Sequence, residues 1–172
     1  MVIRGDLTAL EVITPELARR IVRRDERPGD DWHAEYPFVD ELVPLRSLAA
    51  ATSTDPVFTM YLVRRTSDGA AVGGIGFSGP PDGSGVVEFG YGFVPSARGA
   101  GLATEAVALA LRLAADGGAE TAVADTDAVN VASQRVLEKN GFVEVERSAT
   151  LVTYRRSLAR RDALRPGEDG AR

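Results

Sequence analysis

The segment Arg98-Gly99-Ala100-Gly101-Leu102-Ala103-Thr104 puts a guanidinium, two glycines and a hydroxyl within seven residues. It lies between a strand-like run, Val86 to Val94, and an alanine- and leucine-rich run with helical spacing, Leu102 to Ala115. The first turn of a helix has backbone N–H groups without internal partners and carries the positive end of the helix dipole. A diphosphate can occupy that place. Gly99 and Gly101 remove Cβ atoms that would block its approach, Arg98 adds charge, and Thr104 adds a donor. The same glycines would also suit a plain strand-to-helix turn, and both readings stand at this point.

Other phosphate motifs fit less well. A P-loop needs Gly-Lys, and Lys139 is the only lysine. A dinucleotide fingerprint needs a third glycine where Thr104 stands, although Asp125 has the spacing of a ribose-binding acid. A nicotinamide-dependent oxidoreductase therefore remains an alternative. The chain has no cysteine and a single histidine, His33. This excludes a thiol nucleophile, thiolate zinc sites and multi-histidine metal sites, and no metal is expected. Glu88 is six residues before Val94, about 20 Å along an extended strand. On the residues alone it reads as an exposed strand carboxylate.

These residues need elements to hold them. Leu7 to Ile13 reads as a strand, and Thr14-Pro15-Glu16 opens a helix running to about Arg24. A second helix is expected over Glu41 to Ala51. Pro56 to Arg65, Ala70 to Ser78 and Val86 to Val94 read as three antiparallel strands, with a hairpin turn at Ser67-Asp68-Gly69. Thr121 to Asp125 is a strand, Asn130 to Asn140 a helix, and Phe142 to Arg147 and Thr150 to Ser157 two last strands. The order β-α-α-β-β-β-α-β-α-β-β implies a mixed α/β sheet. An antiparallel meander leads into one parallel crossover, Val86–Val94 to Thr121–Asp125. Gly90 and Gly92 inside a strand mark a bulge or a close approach.

The chain has 172 residues, the size of one domain, here 1–157, with a disordered Arg-rich tail over 158–172. Its net charge is −5, yet Arg155 to Arg172 holds six arginines against three acids. That leaves 14 basic and 22 acidic residues in the first 154. An acidic body argues against nucleic acid and suits a cationic amine. No apolar run approaches the roughly 20 residues of a membrane span. Met1 to Leu10 has no apolar core of a secretory signal, so a cytoplasmic location is expected.

Arg98 to Ala103 matches R-x-x-G-x-A. Asn130, Ser133, Glu138, Lys139, Gly141 and Phe142 match N-x-x-S-x-x-x-x-E-K-x-G-F. Together they resemble the GNAT superfamily of acyl-CoA N-acyltransferases, in particular the ribosomal-protein N-terminal acetyltransferase branch. The resemblance implies the GNAT fold with splayed central strands, acetyl-CoA as co-substrate, and a small-molecule amine or a peptide N-terminus as acceptor. It assigns Phe93, Val94, Asn130 and Ser133 to the pantetheine arm and Arg98, Gly99, Ala100, Gly101, Leu102, Ala103 and Thr104 to the pyrophosphate. Asn130 also reads as a helix N-cap with Ser133 at N3. The family often has a tyrosine acid where this chain has Leu137. Ser133 is the substitute that the resemblance offers, and Glu88 is the candidate general base, since the thioester should lie near it if the arm runs back along the Val86–Val94 strand. The departure also admits a non-catalytic acyl-CoA-binding or regulatory module. Trp32, His33, Glu35 and Tyr36 lie in a segment that in this family roofs the acceptor site, and a solvated loop is the plainer reading. A homodimer is a further family-level expectation.

Overall fold

The computed structural model describes residues 1–158. The Arg-rich tail expectation for 158–172 falls outside them, apart from Leu158. Local signals place the helices. The Thr14 hydroxyl accepts the Leu17 amide at 3.1 Å and Pro15 takes the first position of α1 (Pro15–Arg23). α2 (Leu42–Ala50) follows a 3-10 turn, Val39–Glu41. α3 (Leu102–Asp116) stops at Gly117, and α4 (Val131–Lys139) starts on the Asn130 side chain, which accepts the Ser133 amide.

The strands are β1 (Val2–Arg4), β2 (Thr8–Val12), β3 (Met60–Arg65), β4 (Ala71–Phe77), β5 (Val86–Phe93), β6 (Thr121–Asp127), β7 (Val143–Arg147) and β8 (Leu151–Ser157). They form one sheet in the order β1-β2-β3-β4-β5-β6-β8-β7. Every pairing is antiparallel except β5 with β6, joined across α3. This is the mixed sheet expected, with one strand more. The leading strand is a hairpin: Gly5 donates to Thr8 O at 2.8 Å and β1 folds back on β2. β3 begins at Met60 rather than Pro56, because the Asp55 carboxylate takes the Val57 and Phe58 amides at 2.8 Å each and holds a turn there. α3 buries Ala106, Val107, Leu109 and Ala110 in the same core as Leu10, Leu62 and Ile75. Truncating Leu62 or Leu109 to Ala would cost roughly 2–5 kcal/mol.

One pairing positions the site. β5 bonds to β6 only from Val86 to Glu88, opposite Thr121 to Val123. Beyond Glu88 the two strands part, and Phe89 to Phe93 stay paired with β4 alone. A gap therefore opens along one edge of β5 and leads toward the start of α3.

Candidate active site

The glycine turn presents an uncapped helix. Gly101 is the N-cap of α3, at φ 80, and no side chain bonds to the helix start. Gly99 is also left-handed, at φ 82. At such angles a Cβ costs about 1–2 kcal/mol, which accounts for glycine at both positions. The first intrahelical bond is from Glu105 N to Gly101 O at 3.1 Å, so the Leu102 to Thr104 amides precede the ladder. Arg98 is held from two sides. Its Nε donates to Phe93 O at 3.0 Å and its guanidinium lies 5.1 Å from the Phe38 ring centre.

An acid in the first helical turn would repel a phosphate unless otherwise engaged. Glu105 is turned away and engaged by four donors. Its carboxylate accepts the Asp6, Leu7 and Thr8 amides at 2.9, 2.9 and 2.6 Å and the Thr8 hydroxyl at 2.7 Å. Burial works to raise its pKa, but the Thr8 hydroxyl and the three amides together bring it below the usual carboxylate range. Gly5 leaves space for this carboxylate; a Cβ there would sit 2.5 Å from Oε2. Sequence reading gave Glu105 no role, because its partners are about a hundred residues away.

A cavity of 450 Å³ runs from this turn past α4 to β5. Of the residues expected to hold the coenzyme, Phe93, Arg98, Gly99, Gly101, Leu102, Ala103, Thr104, Asn130 and Ser133 line it. Val94 and Ala100 do not. Val94 is fully buried, and its N–H is bonded to Val72 O at 2.9 Å. Ala100 faces solvent. Tyr91 also lines the cavity, and its hydroxyl stands 2.9 Å from Ser133 Oγ and donates to Ser133 O at 3.2 Å. Burial pushes the Tyr91 phenol up to about 12, with the Ser133 hydrogen bond opposing and Tyr154 adding to the rise. It is a neutral donor at neutral pH. Leu137, at the position where the family often has its acid, is fully buried in the core.

A second cavity, of 380 Å³, lies along β4 and β5 beside the Val39–Glu41 turn and α2. Its floor is a run of glycines: Gly74 pairs with Gly92 and Gly76 with Gly90 across β4 and β5. The pairing is regular there, so the β5 glycines make no bulge. They provide open backbone, and Gly90 has nothing within 4 Å of its Cβ position. Asp40, Glu41, Glu88 and Asp125 line this cavity, and no Lys or Arg does. Glu88 is exposed, at the end of the β5–β6 pairing. Asp125 stands here rather than beside the glycine turn, so it does not complete a dinucleotide site. The two cavities share Asp40, Tyr91 and Gly92.

Glu41 is a residue to which sequence reading gave no individual role. It is 4% exposed, and neither carboxylate oxygen has a hydrogen-bond partner. Burial pushes its pKa up to about 8; the nearby Phe38 amide, which falls short of hydrogen-bond geometry, opposes this in part and Asp40 adds to it. The glycines of the floor were its only local signal. A methyl on Gly74 would overlap the Glu41 carboxylate, and one on Gly92 would lie 3.2 Å from its Cγ.

Trp32, His33, Glu35 and Tyr36 line neither cavity. Trp32 bridges to Ala71, lies under the Arg20 guanidinium at 5.9 Å and meets Tyr36 edge-on at 6.3 Å. Tyr36 is 3% exposed and part of the core. His33 and Glu35 brace the turn ahead of Arg98. Glu35 accepts the Ser96 hydroxyl, and His33 Nε2 is 3.3 Å from the same Ser96 Oγ. The Ser96 hydroxyl holds the Glu35 carboxyl below its ordinary range, and His33 and Arg98 assist. The resemblance placed these residues at the acceptor, but Ser96 holds His33 and Glu35 at the turn before Arg98.

The sequence profile of the family described as "Acetyltransferase (GNAT) domain" matches residues 6–143. The chain belongs to the GNAT acetyltransferase family. It is 29% identical over 125 residues to the uncharacterized N-acetyltransferase YjdG of Bacillus subtilis, covering 70% of this chain and 74% of that one. Among solved structures, an acetyltransferase (GNAT family) from Bacillus anthracis is similar with a TM-score of 0.63 at 17% identity, over 92% of this chain and 99% of that one. The ribosomal-protein-S5-alanine acetyltransferase from Vibrio fischeri is similar with a TM-score of 0.62 at 14% identity, over 91% and 97%. These two likenesses concern the fold. Among the described residues, no helix is long and apolar enough to cross a membrane, and no cluster of His, Cys, Asp and Glu is suited to a metal.

Proposed function

We propose that this GNAT protein transfers an acetyl group from acetyl-CoA directly to a primary amine, a small molecule or a peptide N-terminus. The observation that carries the reading is the junction of two cavities at Tyr91 and Gly92. One leads to an uncapped helix start beside Arg98, and the other is lined by carboxylates alone among charged groups. The first suits a diphosphate and the second a cationic acceptor. The absence of any cysteine removes an enzyme thiol as acyl carrier and supports direct transfer.

The coenzyme, when bound, supplies the activated thioester. Arg98 and the Leu102 to Thr104 amides hold the diphosphate, and Asn130 and Phe93 flank the arm along the opened edge of β5. The Tyr91–Ser133 pair donates a proton to the departing sulfur, in the place where Leu137 offers none. A carboxylate on the acceptor cavity removes the ammonium proton, since only the neutral amine attacks. Glu88, the base expected from the sequence, is one of four such carboxylates.

Free thiol release from acetyl-CoA, measured with a panel of amines, tests this. Amine-dependent release that falls at least tenfold in Tyr91→Phe is expected. Coenzyme A, and not NADPH, should raise the melting temperature by mass action. Stabilisation without amine-dependent release would favour a binding or regulatory module.

A further inference from the structure

Glu41 lacks what buried carboxylates ordinarily have. Such groups are hydrogen-bonded or paired, because an uncompensated one is costly to bury. Here both oxygens are unpartnered in a residue 4% exposed. The chain even makes space for it, by having glycine at Gly74 and Gly92 on the two strands beneath. An unpartnered acceptor kept in a cavity points to a partner that arrives with the ligand. The place is also informative. Gly92, against which Glu41 packs, belongs to both cavities, so Glu41 stands where coenzyme and acceptor meet. Glu88 is four residues further along β5, about 13 Å from that junction at 3.3 Å per residue.

We propose that Glu41 receives the acceptor's primary ammonium group at the glycine floor and takes its proton. This rests on the acetyltransferase reading above. In the step, one ammonium proton passes to the Glu41 carboxylate and the freed nitrogen lone pair forms the C–N bond. The C–S bond breaks with its electron pair going to sulfur. The second proton lost by nitrogen balances the one given to the thiolate through Tyr91 and Ser133, and Glu41 returns its proton to solvent. Glu88 and Asp125, at the far end of the cavity, face the remainder of the acceptor. The acceptor is thus a compact or slender cation rather than an acid or a neutral alcohol.

The titratable groups around Glu41 are few. Asp40 is its neighbour on the same turn, and Tyr36, whose phenol Glu41 helps to push up, lies in the preceding segment. β4 and β5 present glycines to it. Glu88 and Asp125 complete the cavity wall. Glu41 must be ionised to act, so the free enzyme should gain activity as pH rises through about 8.

The experiment measures thiol release from acetyl-CoA with 1,4-diaminobutane, phenethylamine and an alanine-initiated tetrapeptide, from pH 6 to pH 9.5. It compares wild type, Glu41→Gln, Glu88→Gln and Gly74→Ala, each first checked by circular dichroism and coenzyme A affinity. We expect Glu41→Gln to lose about 100-fold in kcat/KM with coenzyme affinity unchanged. The wild-type to Glu41→Gln ratio should climb through pH 8 and then level, which removes the amine's own ionisation from the comparison. Gly74→Ala keeps the carboxylate but displaces it, and should lose about tenfold or more; it decides the matter if Glu41→Gln does not fold. A Glu41→Gln enzyme within about threefold of wild type, or a ratio flat with pH, overturns the proposal and leaves the acetyltransferase reading intact. So does a pH-dependent loss that appears in Glu88→Gln instead. Absence of release by the wild type with every amine overturns both.

Discussion

Removing the Glu41 charge should make the protein more stable at high pH, an unusual outcome for a buried polar substitution. The sign follows from linkage. The carboxyl titrates at about 8 in the fold against an ordinary 4.5, so between those values the native state keeps a proton that the unfolded chain has released. Where the native state binds more protons, stability falls as pH rises. The gap is worth on the order of 5 kcal/mol at about 1.4 kcal/mol per pH unit, a ceiling that local relaxation and water entry will lower. Glu41→Gln keeps the shape and removes the titration. Urea denaturation at half-unit steps from pH 4 to pH 9 would measure both proteins. Wild type should lose several kcal/mol relative to the variant across that range, and the curves should converge below pH 5. Parallel curves, or a variant weaker by the same amount at every pH, would show that Glu41 is solvated or paired and would refute the reasoning.

Other perturbations have equally definite outcomes. Arg98→Ala should weaken coenzyme A binding about tenfold by calorimetry, the worth of one charge-assisted contact, with little change in melting temperature. Gly101→Val should abolish coenzyme binding and lower stability by about 1–2 kcal/mol, since a β-branched residue at φ 80 is strained. Glu105→Ala should lower stability by about 1–3 kcal/mol at pH 7, by releasing the Asp6 to Thr8 amides. The Glu105 pKa is depressed in the fold, so that contribution is present above the unfolded carboxylate value and is lost as pH falls through the depressed one. Acid titration of the two proteins by circular dichroism should therefore show their stabilities approaching each other below about pH 4.

The elements with local chemistry were readable in the sequence. Thr14-Pro15, Gly101 and Gly118 mark helix ends by local capping and backbone need, and the switch from alternating to helical spacing after Val94 announces the crossover. The lining of the first cavity was largely legible for the same reason, since Arg98 to Thr104 is one continuous segment. Glu88 was legible as a strand carboxylate, and it does face a cavity. What escaped was built from distant parts. Glu41 acquires meaning only when Gly74 and Gly92 lie under it, and Glu105 only when residues 6–8 fold back onto α3. His33 and Glu35 were expected at the acceptor from resemblance alone, while Ser96, about sixty residues on, engages them and they line neither cavity. The Tyr91 hydroxyl gains a role only in the fold, because its partner, Ser133, is on α4, beyond α3 and β6 in the chain.

A crystal structure of the protein with coenzyme A bound addresses the core of the account. It should place diphosphate oxygens within about 3 Å of the Leu102 to Thr104 amides, with Arg98 beside them and the arm running past Asn130 toward Tyr91. Density for the coenzyme at any other surface, with those amides bonded instead to the protein's own side chains, would contradict it.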